Sequence, residues 1–358
     1  MSDLRFPTRT LWPDADRRSI HVIDQAALPH DFRVLRISSL EEAVSAIREM
    51  RVRGAPLIGV TAAYGLALAI KEHDALEGAI ARLEAARPTA VNLHWALARM
   101  RARVESLDAL ENRAEAAWIE AGRIAEEDVD QCRRIGEHGL AVLKSLAANK
   151  SRRLEIMTHC NAGALATIEH GTAISPIYAG VSAGVDLHVW VSETRPRNQG
   201  LLTAWELRQR GVPYTVFADN AAGHLLSRGG IDAVIVGADR VAANGDVANK
   251  IGTRLKALAA LDAGVPFFVA APRSSFDFSR ADGEDIPIEE RSGDELRTLS
   301  GLDADGVVKS FRLLPADAPV FNPAFDLTPG EHVTAFITEH GVCRPDALPS
   351  FFDANDHA

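Results

Sequence analysis

The sequence has little cysteine and no cluster of basic residues, and both shortages limit what the protein can be. Its 358 residues include three cysteines, Cys132, Cys160 and Cys343, which are widely spaced and form no CxxC pair. A disulfide framework is therefore not expected, and the reducing cytoplasm is the predicted compartment. With 39 basic and 49 acidic residues the formal net charge is −10, which argues against nucleic acid or an anionic membrane as the main partner.

Long apolar runs are missing too. The longest, LIGVTAAYGLALAI at 57–70, has 14 residues, which is too short to span a bilayer and is typical of a buried helix. The segment MSDLRFPTRT is polar and charged, so no signal peptide is expected. The phosphate-binding fingerprints GxGxxG and GxxxxGK(S/T) do not occur, and the 12 histidines are scattered rather than set at metal-ligand spacing. No metal ion and no nucleotide or flavin cofactor is therefore expected.

The hydrophobic pattern divides the chain into two parts. Up to residue 148 it is mostly helical, with a short antiparallel element near the beginning. From residue 149 onward short apolar runs alternate with helical segments, which predicts a doubly wound parallel sheet of the Rossmann type. We therefore predict an α/β protein with a small, mostly helical domain at 1–148 and a Rossmann-like domain at 149–358. The predicted strands are RLEIMTHC (153–160), LHVWVSET (187–194), PYTVFAD (213–219), IDAVIVGAD (231–239) and VPFFVAA (265–271).

Four of these strands end in polar or reactive residues. Ligands of doubly wound sheets bind outside the carboxyl ends of the strands. Asp and Asn are also good helix caps, so one such ending alone would carry little information. Four together indicate a ligand site. The endings are Thr158-His159-Cys160-Asn161, Glu193-Thr194-Arg195, Asp219-Asn220 and Asp239-Arg240.

Cys160 is the most distinctive residue of these endings, and two interpretations of it stay open. A free cysteine often serves only as a small apolar side chain. The segment GALATIEHG that follows Cys160 predicts a helix, and a helix N-terminus favours a thiolate, so a reactive thiol is the alternative. The turn RGAP at 53–56 leaves a similar choice between a phosphate-binding turn and a simple link between helices.

Seven motifs, in order over residues 52–329, carry a resemblance to a known family. They are VRGAPLIG (52–59), RPTAVNLHWAL (87–97), THCNAG (158–163), ETRPRNQGLLTAWEL (193–207), GADRVAANGDVANKIGT (237–253), DIPIEER (285–291) and FNPAFDLTP (321–329). These motifs resemble those of the methylthioribose-1-phosphate isomerases. That family shares a superfamily with the regulatory α, β and δ subunits of the eukaryotic initiation-factor nucleotide exchanger. Two positions depart from the family pattern: His94, where Phe is expected, and Ala86, where Ser is more usual.

The resemblance implies a function, a set of site residues and an oligomeric state. The implied activity is an aldose–ketose isomerisation of methionine salvage, from 5-methylthio-α-D-ribose 1-phosphate to 5-methylthio-D-ribulose 1-phosphate. By motif, Asp239 is the proton donor and Cys160 the second catalytic group. Members are typically homodimers with a helical and a Rossmann-like domain. The implied substrate contacts are Arg53, Gly54, Ala55, Arg87, Gln199, Asn249 and Lys250.

The substrate sets a chemical requirement on Asp239. Phosphate on the anomeric oxygen prevents ordinary ring opening, so an acid must protonate the ring oxygen as the C1–O4 bond breaks. A carboxyl group titrates near a pKa of ~3.9, so burial must raise the pKa of Asp239 for it to hold a proton near neutral pH. Cys160 is then expected to act as base or proton relay at C1 and C2. Transfer of the C2 hydrogen as a proton or as a hydride stays open.

Two alternative functions remain at this point. The first is an isomerase of a related sugar 1-phosphate, such as 5-deoxyribose 1-phosphate or ribose 1,5-bisphosphate, which would use the same catalytic residues and differ in its pocket for the C5 substituent. The second is a non-catalytic regulatory subunit. The presence of both Cys160 and Asp239 in their motifs argues against it.

Overall fold

The computed structural model describes residues 7–72, 75–88, 90–107, 109–148 and 150–355. The chain divides into two compact units: Met1–Arg133 with Ala162–Gly171, and Arg134–Asn161 with Thr172–Ala358. The domain boundary predicted at 148–149 falls at Asn149, which lies outside the described residues, and it stays a prediction.

The first unit begins with a small antiparallel sheet, as its sequence predicts. The strands β1, β2 and β3 pair in that order. Their bounds are Leu11–Pro13, Ile20–Ile23 and Val34–Ile37. Helices α1 to α5 follow, and α5 is the single long helix that the pattern over 111–147 allows. Their bounds are Leu40–Arg48, Ala55–Lys71, Leu76–Ala86, Val91–Glu105 and Leu110–Ala147.

Helix α2 forms the centre of this unit's core. All its residues from 57 to 70 are buried, as the continuous apolar run predicts. A Cβ at Gly59 would lie 2.8 Å from the backbone oxygen of Asn92, so the missing side chain lets α2 and α4 approach closely near their N-terminal ends.

The second unit contains the remaining strands and helices. In chain order the strands β4 to β16 are Leu154–Thr158, Leu187–Ser192, Tyr214–Phe217, Ala233–Val236, Arg240–Ala242, Val247–Lys250, Phe267–Ala270, Phe276–Asp277, Thr298–Leu302, Val308–Arg312, Phe325–Thr328, Ala335–Thr338 and Gly341–Cys343. The helices α6 to α11 are Ser175–Ser182, Gln199–Gln209, Ala222–Ser227, Thr253–Asp262, Asp294–Arg297 and Leu348–Asn355.

The main sheet of this unit has the doubly wound topology that the sequence predicts. In the described residues its order is β16-β15-β10-β7-β4-β5-β6. All neighbours are parallel except β15 and β16. The chain runs from β4 outward to β5 and β6, then returns to the other side of β4 to form β7, β10 and β15. The order therefore reverses between β4 and β7, and such a switch point is where ligands bind in open α/β sheets.

Two further β elements were not predicted. Strands β8, β9, β11 and β14 form a second sheet in the order β11-β8-β9-β14, and β12 pairs with β13 as a hairpin. The hydrophobic pattern of VANKIGTRLKALAALDAG (247–264) predicts a helix, and this prediction is wrong for the first residues of the segment. Residues Val247–Lys250 are strand β9, and helix α9 begins only at Thr253.

Two features are missing from the part of the chain that the structure describes. None of its helices is both long and apolar enough to cross a membrane. Its His, Cys, Asp and Glu side chains form no group of three or more that could hold a metal ion.

Candidate active site

Cys160 and Asp239 follow the two strands that flank the switch point. Strands β4 and β7 are parallel neighbours, with Ile156 opposite Ala233 and Met157 opposite Val234. Paired strands lie about 4.8 Å apart. Cys160 comes two residues after the end of β4, and Asp239 three residues after the end of β7. The thiol and the carboxyl group therefore belong to adjacent loops at the ligand-binding edge of the sheet.

Cys160 is held in an unusual backbone conformation by the neighbouring β5 region. Its φ is 64° and the residue is half-buried. Its N–H donates to Oγ1 of Thr194 at 2.9 Å, and its carbonyl oxygen accepts from Oγ1 of Thr203 at 2.8 Å. A left-handed conformation costs a non-glycine residue roughly 1–3 kcal/mol, so surrounding contacts have to maintain it.

The helix expected directly after Cys160 does not form. The segment contains a single 3-10 turn at Ala164–Ala166, and the next α-helix is α6. The backbone oxygen of Ala164 accepts from Oγ1 of Thr10, and that of Leu165 accepts from Nε2 of Gln25. These tertiary hydrogen bonds occupy carbonyl groups that a helix would have used. The prediction that a helix N-terminus favours the thiolate of Cys160 is therefore wrong.

Asp219 organises the loop after β5. Its carboxylate accepts hydrogen bonds from the N–H of Thr194 at 2.9 Å, from the N–H of Arg195 at 2.7 Å and from the hydroxyl of Ser192. Burial raises the pKa of Asp219, but these hydrogen bonds outweigh it and leave the pKa below its usual value. Asp219 is thus a carboxylate that fixes the backbone of Thr194, whose φ is also 64°.

His159 supports the same loop from the other side of Thr194. Its side chain is buried, and burial lowers its pKa to about 3, so the ring is neutral at physiological pH. Nε2 lies 2.9 Å from the backbone oxygen of Ile251 and Nδ1 lies 3.3 Å from Oγ1 of Thr194. A carbonyl oxygen can only accept, so Nε2 carries the hydrogen and Nδ1 carries none. The hydroxyl of Thr194 also donates to the backbone oxygen of Ser192 at 3.0 Å.

Asn161 is anchored by a buried carboxylate on α7. Its Nδ2 donates to Oε1 of Glu206 at 2.8 Å and to Oγ1 of Thr203 at 3.1 Å. Glu206 is buried and accepts a further hydrogen bond from the hydroxyl of Tyr178 at 3.1 Å. Hydrogen bonds therefore hold both neighbours of Cys160, His159 before it and Asn161 after it. No feature of the sequence distinguishes Glu206 from other polar residues in a helix, so its role could not be predicted.

Asp239 lies beside the predicted substrate contact Asn249. Strands β8 and β9 are antiparallel with Arg240 opposite Ala248, and the N–H of Asp239 donates to the oxygen of Ala248 at 3.0 Å. Continuing this register by one pair sets Asp239 opposite Asn249. Asp239 is half-buried, and every residue of the preceding strand β7 is buried. Asn249 is also buried, and its Nδ2 donates to Oγ1 of Thr253 at 3.0 Å.

Lys250 and Gln199 differ in how their polar groups are satisfied. Nζ of Lys250 donates to the oxygen of Ala324 at 3.1 Å and lies 4.4 Å from the ring centroid of Phe325. Gln199 is the first residue of α7 and is 8% exposed. Among the described residues its Oε1 is buried with no hydrogen-bond partner. A buried acceptor without a donor costs about 1–3 kcal/mol, so a ligand hydroxyl that donates there would be stabilised.

In the first unit, the sequence Arg53-Gly54-Ala55 leads into helix α2. Gly54 has a φ of 87°, and a Cβ there would lie 2.3 Å from the oxygen of Ala166, so only glycine fits. Ala55 begins the helix and Arg53 is half-buried. A helix N-terminus presents unpaired N–H groups and a positive dipole end, which suit a phosphate group.

Arg87 precedes helix α4 in the same unit. It is half-buried at the end of α3. The N-terminal parts of α2 and α4 are in contact at Gly59 and Asn92, so Arg53 and Arg87 lie at the same end of this helix pair. His94, which departs from the family pattern, supports the intervening turn, because its Nε2 lies 2.9 Å from the oxygen of Pro88.

Comparison with known proteins identifies the family. Residues 51–345 match the Initiation factor 2 subunit family. The chain is 62% identical over 341 residues to a methylthioribose-1-phosphate isomerase of Dechloromonas aromatica, with 94% of each chain covered. The chain belongs to this family, among its methylthioribose-1-phosphate isomerases.

Solved structures of the Initiation factor 2 subunit family agree with this assignment. The chain superposes on the crystal structure of 5-methylthioribose 1-phosphate isomerase from Pyrococcus horikoshii OT3 with a TM-score of 0.85 and 42% identity, covering 99% of this chain and 98% of that one. It superposes on the translation initiation factor eIF-2B, subunit delta, from A. fulgidus with a TM-score of 0.82 and 36% identity, covering 97% and 100%. The predicted fold and the predicted family are therefore confirmed.

Proposed function

We propose that this protein converts 5-methylthio-α-D-ribose 1-phosphate into 5-methylthio-D-ribulose 1-phosphate, with Asp239 as the acid and Cys160 as the base or relay. One observation carries the assignment of the pair: Cys160 and Asp239 extend from the adjacent strands β4 and β7 at the switch point of the sheet. The isomerase name of relatives that match nearly the whole chain supports the choice of reaction.

Asp239 acts on the ring oxygen. Its protonated carboxyl group donates a proton to O4 as the C1–O4 bond breaks, which opens the ring without removing the phosphate from C1. The half-buried position of Asp239 after the buried strand β7 supports this role. A site with little water favours the neutral carboxyl group until the reaction draws its proton away.

Cys160 acts on the hydrogen that moves from C2 to C1. In a proton route, a base removes the C2 hydrogen to give an enol, and C1 is then protonated as the ketone forms at C2. In a hydride route, the hydrogen passes directly from C2 to the electron-poor C1 while the 2-hydroxyl loses its proton. The rigid position of Cys160 suits it to act as base or relay in the first route and as relay for the hydroxyl proton in the second.

The substrate is held through its phosphate and hydroxyl groups. Arginine and lysine side chains bind phosphate through charge-assisted hydrogen bonds, and a helix N-terminus adds backbone donors. The buried acceptor of Gln199 and the amide of Asn249 suit sugar hydroxyls. The proposed contacts are Arg53, Gly54, Ala55, Arg87, Gln199, Asn249 and Lys250.

A direct assay tests this proposal. Methylthioribose 1-phosphate and 5-deoxyribose 1-phosphate are supplied separately, and the ketose products are measured. We expect turnover of the first with the higher kcat/KM. A protein that prefers deoxyribose 1-phosphate would show that the C5 assignment is wrong, and a protein inactive on both would contradict the isomerase itself. Substrate deuterated at C2 separates the two routes, because loss of label to water requires an exchangeable proton.

We also propose that the protein is a cytoplasmic homodimer. The hairpin β12–β13 supports the dimer, because Leu302 and Val308 are opposite each other on its two strands and each is 51% exposed. Contiguous exposed apolar surface usually marks an interaction site. Light scattering on the purified protein should give twice the mass of one chain, and a monomer at micromolar concentration would contradict this proposal.

A further inference from the structure

Lys256 is a buried lysine that the proposed reaction does not use. It lies on α9 and is 1% exposed. Removing an ammonium group from water costs several kcal/mol, so such a group persists in a protein interior only with compensating partners. Its sequence context, LKALAALDAG, gives no sign of this burial.

The ammonium group of Lys256 faces the segments that carry the candidate site. Nζ lies 4.0 Å from Oδ1 of Asp219 and 3.4 Å from the backbone oxygen of Gly252. A Cβ on Gly252 would lie 3.6 Å from this Nζ and 3.4 Å from Nε2 of His159, so the ammonium group and the imidazole both border Gly252. The other charged group that acts on Lys256 is Asp326, which accepts from the N–H of Gly252 at 2.7 Å.

A continuous series of contacts leads from Lys256 to Cys160. The carboxylate of Asp219 faces Nζ and accepts from the backbone N–H groups of Thr194 and Arg195. Oγ1 of Thr194 in turn accepts from the N–H of Cys160. Asp219, Thr194 and Cys160 follow the neighbouring strands β6, β5 and β4, so the series connects the loops after three of the seven strands of the sheet.

We propose that Lys256 is a positioning residue for the isomerisation, whose ammonium group acts through Asp219 and Thr194 to hold Cys160 in its left-handed conformation. This inference rests on the proposed function, since it assigns Cys160 a part in the reaction. The ammonium group adds to the hydrogen bonds that lower the pKa of Asp219, and an ionised carboxylate accepts the two backbone N–H groups more strongly than a neutral one.

The protonation states of Lys256 and His159 agree with this positioning role. Burial lowers the pKa of Lys256 to about 8, against the opposing effect of Asp219 and Asp326, so the ammonium form predominates at neutral pH. His159 stays neutral, partly because of Lys256. The ring of His159 therefore adds no second positive charge next to Asp219.

The test replaces Lys256 with methionine, which keeps the unbranched chain and removes the charge. Lys144→Met is the matched control, since Lys144 is exposed on α5. We expect Lys256→Met to lower kcat by about tenfold or more while KM changes by less than about threefold, because the change affects the placement of a reacting group rather than substrate binding. A lysine that serves stability alone would lower the melting temperature and leave kcat per folded molecule at the control value.

Hydrogen exchange followed by mass spectrometry gives a readout that does not depend on activity. In Lys256→Met the peptides that contain Cys160 and Thr194-Arg195 should exchange about tenfold faster or more, while peptides of β10 keep their protection. Unchanged exchange in those peptides, or a kcat equal to that of Lys144→Met, would overturn the inference. A wild-type protein without isomerase activity would refute the proposed function. The exchange result would then decide on its own whether Lys256 holds the loops of Cys160 and Thr194 in place.

A second variant covers the case in which Lys256→Met fails to fold. Asp219→Asn keeps the side-chain volume but replaces one accepting oxygen by an NH2 group, which cannot accept from a backbone N–H. It should lower kcat with a nearly unchanged KM and raise exchange at Thr194 and Arg195. A wild-type kcat in Asp219→Asn would show that the series of contacts to Cys160 has no effect on the reaction.

Discussion

The backbone N–H of Cys160 donates a hydrogen bond to Oγ1 of Thr194, and both residues have a φ of 64°. This conformation is uncommon outside glycine, and for a β-branched residue such as threonine it is an outlier. Cys160 follows β4 and Thr194 follows the adjacent strand β5, so this hydrogen bond connects two loops that each contain a strained residue. Backbone strain of this kind persists where the surrounding contacts over-determine it, and it clusters at functional sites.

Thr194→Val should therefore impair catalysis without preventing folding. Valine keeps the shape of threonine but offers no acceptor to the N–H of Cys160, so we expect kcat to fall by about tenfold or more with a smaller change in KM. Thr194→Ser keeps the hydroxyl and is the matched control, with a kcat near that of the wild type. Steady-state kinetics on both variants checks this, and equal losses in the two would show that the hydroxyl is not the cause.

Cys160→Ser and Asp239→Asn should each reduce kcat by about a hundredfold or more. A serine hydroxyl is far less acidic than a thiol, so it serves less well as a base or proton relay near neutral pH, and asparagine cannot donate an acidic proton to the ring oxygen. Asp262→Asn, at an exposed position on α9, is the control for loss of one carboxylate. Steady-state measurements with saturating substrate give kcat for both variants. Near-normal turnover in Asp239→Asn would refute its role as the acid.

Arg53→Ala and Arg87→Ala should act mainly on KM. Each loses charge-assisted hydrogen bonds to the phosphate, worth about 1.5–3 kcal/mol, which corresponds to roughly a tenfold to a hundredfold rise in KM. Arg48→Ala removes an exposed arginine from α1 and should change KM little. If inorganic phosphate competes with substrate equally well in the wild type and in both variants, the phosphate contacts are wrongly assigned.

Asp128 should make the stability of the first unit depend on pH. Burial raises its pKa to about 7, although the N–H of Ile168 donates to its carboxylate at 2.7 Å and Sγ of Cys132 lies 3.9 Å away. The folded state holds this proton up to about pH 7, whereas an unfolded aspartate releases it near pH ~4. The resulting stabilisation is complete below about pH 4 and is lost as the pH rises through about 7.

Asp128→Asn removes this titration while keeping an acceptor for Ile168. The difference in unfolding free energy between wild type and variant should fall by up to about 1.4 kcal/mol per pH unit between pH 5 and 7 and level off above that. Urea unfolding at several pH values measures it, with Asp262→Asn as an exposed control. Parallel pH profiles for wild type and Asp128→Asn would mean that Asp128 does not titrate in this range.

The central strands could be predicted because their signal is local. Strands β4, β5, β6, β7 and β10 are short apolar runs between helical segments. Burial on both faces requires such runs in the inner strands β4, β5, β7 and β10, whereas β6 lies at the edge of the sheet and two of its four residues are exposed. Strand β9 could not be predicted in this way. Its pairing partner β14 begins about 75 residues later in the chain, with Phe325 opposite Lys250, and a four-residue run that includes Asn and Lys carries little strand signal by itself.

Around Cys160, too, the sequence could predict local features but not contacts between distant parts of the chain. The endings of the strands pointed to Cys160, Thr194 and Asp219 as a group, because parallel strands align their carboxyl ends. The missing helix after Cys160 depends on hydrogen bonds from Thr10 and Gln25, more than a hundred residues earlier in the chain. Local propensity cannot report such bonds, and for the same reason it could not report the burial of Lys256.

The placement of the site in loops, beyond strands that are almost wholly buried, also has an evolutionary consequence. Every residue of β7 and four of the five residues of β4 are buried, so packing restricts what can replace them. Cys160 and Asp239, which follow these strands, are only half-buried. Packing restricts their side chains less, so descendants of one ancestral gene could acquire or lose a reaction there without rebuilding the sheet. That history would account for a shared fold among proteins named for sugar-phosphate isomerisation and for translation initiation.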